Sequence, residues 1–365
     1  MDTKWYKISL TPLEYYYLGS EQNFRRDKSL YFAESEQVPS QTTVLGMLRY
    51  YMLKCARDSS GENLLGFDDA KKAEREQLIG SRSFDFSSSQ PQDFGKLKCL
   101  TSVQIVDQDE HVLLKRPYNL VCDDNGPVRT EAGSLRTYPL DKDSGDKPYF
   151  VDFSAKNNSR GQGYLEMIPG QKEVVLKDDD ALFSRTIRTR VNKKKRLETG
   201  GKNDDAFFKV EMYRLRPGYH FQFFAELEEN VELDRSDIVF LGGYKSAFKL
   251  DVESVSASAV TDFYGEIEQT LNQAIETETG FYYALSETYW DGTTGFDFSV
   301  NQKRYFRNLE TQYNQQRYRK RKQLGVLYDR ASVFYSEGEL VADHANSSQI
   351  GLNKLIKIEG RSKDK

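Results

Sequence analysis

Three stretches of this sequence collect the groups that hold phosphates and stack on bases. From Arg185 to Arg196 the chain reads Arg-Thr-Ile-Arg-Thr-Arg-Val-Asn-Lys-Lys-Lys-Arg with no acid, so Arg188, Arg190, Lys193, Lys194, Lys195 and Arg196 form a cationic track. Such a track suits the backbone of a single-stranded nucleic acid. Leu241-Gly-Gly-Tyr-Lys-Ser-Ala-Phe248 sets consecutive backbone N–H donors at Gly242 and Gly243 beside the ring of Tyr244, the charge of Lys245 and the hydroxyl of Ser246. That combination can cradle a phosphate, although it is not a P-loop, because the GxxxxGK[ST] spacing is missing. Nearer the N-terminus, Tyr15-Tyr-Tyr17 and Phe24-Arg-Arg26 add aromatic platforms and two cations, Arg25 and Arg26. Each stretch also has a plain structural reading: a solvated charged face, a Gly-Gly turn before a strand, and tyrosines packed on a sheet. A second basic run with an interleaved tyrosine, Arg317-Tyr-Arg-Lys-Arg-Lys322, lies towards the C-terminus.

The elements that must position these groups follow from periodicity. Residues 4–10 read as a strand ending at Pro12, and a polar excursion follows to about residue 37, long enough to suggest a functional or partner-binding loop. A helix begins behind Pro39 and Ser40, with Val44, Leu45, Leu48, Tyr51, Met52 and Cys55 as its apolar stripe and Thr42, Gly46, Arg49 and Leu53 beside it. There Gly46 leaves room for a neighbouring backbone and Arg49 can reach across it. Residues 97–106 and 112–114 predict a hairpin about Asp107-Gln-Asp-Glu110, and residues 123–146, rich in Gly, Asp and Pro, predict an insertion or linker. Alternation over residues 207–214 and 219–228 predicts a second hairpin, turned by Arg216-Pro-Gly218, with one buried face. Residues 234–240 read as a short helix leading into the glycine-rich loop, and Phe248 opens a strand.

Composition bounds the class. With 365 residues, 38% hydrophobic and 30% charged, the chain has room for two domains, divided here as 1–150 and 151–365. Tyr and Phe make up most of the 13% aromatic content and favour β structure, so the expected class is α+β. No apolar run is long enough to cross a membrane, no signal pattern opens the chain, and Cys55, Cys99 and Cys122 show no pairing or CxxC spacing. A reducing cytoplasmic setting is the expectation. A formal net charge of −4 rules out attraction of nucleic acid over the whole surface, so any such site must be regional.

Taken in order, Pro39-Ser-Gln-Thr-Thr-Val-Leu-Gly-Met-Leu-Arg49, the strand at 207–214 behind a basic segment, the Leu241-Gly-Gly-Tyr-Lys-Ser-Ala-Phe248 loop and Ala331-Ser-Val-Phe334 resemble a RAMP-superfamily subunit of type III-B (Cmr) CRISPR effectors, the kind that caps the 5′ handle of crRNA. The resemblance spans most of the chain. It implies two ferredoxin-like (RRM-like) domains with long loops and insertions. It also implies binding of the crRNA 5′ handle, and docking to the large polymerase-like CRISPR subunit and a RAMP backbone subunit within a hetero-oligomeric complex. Thr43, Gly46 and Arg49 match the family's Ser/Thr-x-x-Gly-x-x-Arg pattern, and Gly242, Gly243, Lys245 and Ser246 match its glycine-rich loop. The segment from Arg188 to Arg196 falls where a protruding hairpin between the domains is implied.

Catalysis has weaker grounds. His111, His220 and His344 are too few and too scattered for a zinc site with three local ligands, no nucleophile–base ordering is visible, and no metal or cofactor is expected. A metal-independent endoribonuclease acting on CRISPR repeat RNA remains an alternative, with His220 as its one positional candidate. A protein-only assembly scaffold, docking through residues 15–37 and 123–146, is the other.

Overall fold

The fold is described from a computed structural model, over residues 2–19, 32–66, 68–86, 88, 90–123, 126–130, 133–142, 148–151, 153, 163–168, 174–191, 207–242, 244–290, 295–306, 309–312, 317–320, 325–340 and 344–360. Arg25, Arg26, Lys193, Lys194, Lys195, Arg196 and Gly243 lie outside the described residues.

The chain opens with β1 (Thr3–Pro12), followed by α1 (Gln41–Cys55) and α2 (Lys72–Ile79). Next come β2 (Leu97–Leu100), β3 (Gln104–Asp107), β4 (Val112–Lys115), β5 (Tyr164–Met167) and β6 (Val174–Lys177). The second half supplies β7 (Phe183–Val191), β8 (Phe207–Leu215), β9 (Tyr219–Glu228), β10 (Ser236–Leu241), β11 (Ser246–Val255) and α3 (Ala257–Ala274). A nine-stranded antiparallel sheet runs β6-β5-β4-β3-β9-β1-β11-β10, with β2 pairing β9 beside β3. The class is mixed α+β. Strands from both sides of residue 150 interleave in this one sheet.

Two cores follow from the two-residue period of a strand. Ile105, Leu113 and Tyr164 point to one face, where Ile8 and Leu10 of β1, Phe221 and Phe223 of β9 and Phe248 of β11 meet Val44, Leu45, Leu48 and Met52 of α1. Val106, Leu114 and Leu165 point to the other, against Ile267 and Leu271 of α3 and the C-terminal strands β12 (Phe281–Ala284), β13 (Val333–Tyr335) and β14 (Leu355–Ile358). Phe224 lies on that second face, edge-on to the Phe263 ring of α3. Because its middle is covered on both faces, β9 departs from the expected pattern of one buried face; Gln222 is buried as well.

The predicted α1 forms as read: Ser40 caps it, accepting the Thr43 N–H, and its expected apolar stripe is buried apart from the half-buried Cys55. The β3–β4 hairpin is also present. Two readings are corrected. Residues 234–240 are not helical, because Ser236–Leu241 is a strand paired with β11, an alternation that the acids at 234 and 237 obscured. Similarly, 207–215 and 219–228 are not partners: β8 pairs back onto β7 and takes the short strand Phe32–Ala33 in parallel on its other side, while β9 enters the main sheet, so Arg216-Pro-Gly218 is a corner between sheets.

A buried ion cluster fastens these layers. Glu287, 3% exposed, receives Arg304 at 2.5 Å and Arg330 at 3.4 Å; Arg304 also reaches Glu36 at 3.0 Å, and Arg330 donates to the Val103 carbonyl. Burial alone would raise the Glu287 pKa, yet the two guanidiniums outweigh it and hold the carboxyl below its usual value. A carboxylate with a depressed folded pKa contributes stability above its unfolded value, and that contribution is lost as pH falls through the folded value. Glu287→Ala takes the buried carboxylate from the half-buried Arg330 and leaves Arg304 with only Glu36 and Asp329, so it is expected to remove about 3 kcal/mol of stability, measured by denaturant unfolding at neutral pH. The gap between variant and parent should narrow in acid.

Candidate nucleic-acid interface

The β7–β8 ribbon carries the described part of the cationic track. Arg185 is spent internally, on buried Glu211 at 2.6 Å. Side chains two apart share a face of a strand, so Ser184, Arg188 and Arg190 line up together, and this is the face that meets the tyrosines. The Tyr15 hydroxyl is 2.7 Å from Ser184 Oγ, and the Arg188 guanidinium stands 5.8 Å from the centre of the Tyr15 ring. Arg190 lies 4.8 Å from the centre of the Tyr244 ring, which in turn packs on Tyr17 at 4.9 Å. Arg188 and Tyr244 are exposed, while Arg190 and Tyr17 are half-buried.

Tyr16 sets this array. Its ring is fully buried against Phe221 and Phe248, its hydroxyl donates to the Gln37 carbonyl, and its main chain exchanges two hydrogen bonds with Tyr213 of β8. Alternation then turns Tyr15 and Tyr17 the opposite way. Burial, reinforced by Tyr244, raises the Tyr17 pKa, so this ring presents a neutral face. Rings faced by guanidiniums form a surface on which a base can stack while cations meet its phosphates.

The glycine-rich segment is the turn of the β10–β11 hairpin rather than an open cradle. Lys245 N–H bonds the Gly242 carbonyl, and Ser246, 3% exposed, keeps its side chain inside. Of the predicted phosphate donors, Ser246 is therefore withdrawn from the surface. Gly242 has a packing role: at φ +75°, a Cβ there would lie 2.2 Å from the Tyr17 carbonyl oxygen. The exposed members, Tyr244 and Lys245, remain at the surface. Two motifs about 50 residues apart in sequence thus meet through Arg190 and Tyr244.

The α1 residues are placed differently. The Thr43 hydroxyl is 2.9 Å from Ser40 Oγ, within the helix cap. Arg49 donates to the Arg82 carbonyl at 3.0 Å and stands over the Phe94 ring. Gly46 is exposed, and no atom lies within 4 Å of a Cβ built on it, so it does not serve a close approach within this chain. The second basic run is partly a strand, Arg317–Lys320, paired with Leu309–Gln312. His220 is half-buried, and burial lowers its pKa; with Lys7 it borders a cleft that also carries Glu110, Asp251 and Glu253. Asp107, His111 and Glu166 form the described group whose donors lie near enough to share a metal ion, a cluster the scatter of histidines in sequence does not reveal. Lys177 already occupies Glu166 at 3.4 Å.

The sheet architecture is mixed α+β and carries this cation and tyrosine surface at one ribbon. The chain belongs to the Cas_Cmr3 family of CRISPR-associated proteins, whose family model matches residues 8–276. It is thus a CRISPR-associated protein of the Cmr kind. Among solved structures, it is similar to a chain of a cryo-EM structure of Type III-B Cmr-beta bound to cognate target RNA, at 12% identity and TM-score 0.44 over 96% of each chain. A second similar chain, from Cmr-beta bound to cognate target RNA and AMPPnP, gives 13% and 0.43 over 96% of this chain and 95% of that one. Comparison with curated proteins gives no match. Among the described residues, no helix is long and apolar enough to cross a membrane.

The two glycines separate by substitution. Gly242→Ala adds a clash and a left-handed strain of about 1–3 kcal/mol, so it should lower the thermal midpoint. Gly46→Ala, in an open helical position, should raise stability by about 0.5–1 kcal/mol. Thermal unfolding of both variants checks the pair.

Proposed function

We propose that this chain is a non-catalytic RNA-binding subunit that holds the repeat-derived 5′ handle of crRNA and bridges the large polymerase-like subunit to the RAMP backbone subunits in the cytoplasm. The observation that carries this reading is the convergence of Arg188, Arg190 and Tyr15 with Tyr17 and Tyr244. Handle nucleotides splay over the tyrosines, with Arg188, Arg190 and Lys245 along the phosphates. Lys193, Lys194, Lys195 and Arg196 extend the track in sequence, and Arg25, Arg26 and Arg49 complete the cationic set. The reading of the architecture as built of ferredoxin-like units belongs to this proposal.

The endoribonuclease alternative is disfavoured by charge. A phosphodiester at His220 would meet Glu110, Asp251 and Glu253, and the nearby cation Lys7 is already paired with Glu110 at 3.4 Å and Glu253 at 3.0 Å. Carboxylates at that range repel RNA.

Arg188→Ala/Arg190→Ala/Lys245→Ala should weaken binding of a 5′-handle oligonucleotide at least tenfold in a filter-binding titration. Its salt dependence should flatten by about 0.7 in log–log slope for each phosphate that is no longer neutralised. Tyr244→Ala should lose about 1–3 kcal/mol of stacking with the slope kept. Unchanged affinity and slope in the triple variant overturn the assignment. Repeat RNA incubated with the protein in EDTA should stay intact, and a cut at one defined position would return the nuclease reading.

A further inference from the structure

The main sheet ends at β10, and this edge is left open in an unusual way. Native sheets blunt their edges with charged side chains, proline, bulges or very short strands, and here the one charge is Asp237, paired with Lys54 of α1. Ser236-Asp-Ile-Val-Phe-Leu241 has no lysine, arginine or proline, and its register with β11 runs unbroken from Ser236↔Asp251 to Leu241↔Ser246. Among the described residues, no strand pairs with its outer side.

The outer main-chain groups can be assigned. Val252 N–H bonds the Arg235 carbonyl at 2.8 Å, and bonded and non-bonded pairs alternate along an antiparallel ladder. Asp237, Val239 and Leu241 therefore face β11, whereas Ser236, Ile238 and Phe240 turn their N–H and C=O groups outward. In keeping with that, the Ile238 N–H takes the Asp237 carboxylate at 2.7 Å instead of a strand partner.

One flank of the edge is apolar and the other is covered by α1. On one face, the side chains of Ile238 and Phe240 are 51% and 58% exposed. On the other, α1 packs over β10, with Tyr51 donating to the Asp234 carbonyl and Lys54 paired to Asp237. Residues four apart share a helix face, so Tyr50, 51% exposed, continues that line from Lys54 to Gly46, where space is open.

We propose that β10 is a docking edge for an extended strand of another protein subunit of the effector complex. That strand would continue the sheet, with alternate side chains resting on Ile238 and Phe240 and on the α1 line of Gly46 and Tyr50. RNA does not fit, since β10 has no cation and its one charge, Asp237, is an acid paired with Lys54. Nor does a second copy: paired strands lie about 4.8 Å apart, packed helices need about 8–10 Å, and each copy brings its own α1 over this same strand. The proposal rests on membership of a multi-protein complex and is independent of the handle-binding reading.

Hydrogen–deuterium exchange on the full chain, alone and in the purified effector complex, tests it. Amides 236–241 should exchange fast in the isolated chain and at least tenfold slower in the complex. Ile238→Lys/Phe240→Lys changes two exposed side chains, so it should keep the parent's melting temperature and RNA affinity while recovery of one protein subunit in the complex falls at least tenfold. Equal exchange in both states, slow exchange already in the isolated chain, or protection by RNA alone would overturn it. So would a dimer of the isolated chain that the double variant abolishes.

Discussion

The crossing from β2 to β3 at Thr101 to Val103 is the constraint on which the arrangement of this molecule depends. Here the chain leaves one strand and enters the next, and its buried main-chain groups must find partners outside the ladder. The Thr101 N–H bonds the Phe224 carbonyl; the Thr101 carbonyl accepts from buried Gln41 at 2.9 Å, and Val103 N–H returns to Gln41 Oε1 at 3.1 Å. The Val103 carbonyl accepts from Arg330, whose other arm holds Glu287. One residue at the head of α1 and one in the C-terminal segment thus satisfy the same crossing. Gln41 also donates to Ile350, and a Cβ on Gly351 would lie 2.1 Å from its amide nitrogen, so a glycine is required there. With α1 fixed at its start, its line over β10 is fixed too.

Docking of the β7–β8 ribbon follows from a second, smaller fastening. Glu211 is buried on β8 and takes Arg185 and the Ser35 N–H, while Tyr16 pairs its main chain with Tyr213. The ribbon is therefore held at its base by bonds that consume the first arginine of the basic run and spare Arg188 and Arg190 for the tyrosine face. Gly242 completes the geometry from the other side, because its missing side chain lets the β10–β11 turn approach the Tyr17 backbone and bring Tyr244 onto Tyr17.

Strong periodicity was readable from residues alone. The α1 stripe, its Ser40 cap, β1 and the β3–β4 hairpin all carry their burial pattern in the order of apolar positions. Which strands pair was not readable for β8 and β9, since each alternates cleanly and only long-range competition, β7 for one and β1 and β3 for the other, decides between them. The cationic and aromatic stretches could be named, but their meeting could not. Arg190 and Tyr244 touch because two hairpins converge on Tyr16, and no local spacing encodes that. Gln41, Glu287 and Arg330 gave no signal, because a buried polar residue looks like a surface one until its partners are known.

Charge is segregated in a way the net value of −4 conceals. Screening limits exposed charges to about 8–10 Å, so an RNA phosphate meets local groups and not the sum. At the tyrosine face it meets Arg188 and Arg190. On the side of the main sheet away from α1, Lys7 is shared by Glu110 and Glu253, and Lys249 is paired with Asp251 at 2.9 Å, leaving carboxylates in excess. A polyanion is thus attracted to one region and turned away from another without any change in total charge. The same acids that make the chain look unsuited to RNA give the sheet face leading to β10 a local excess of negative charge, and at β10 the exposed large apolar side chains are Ile238 and Phe240.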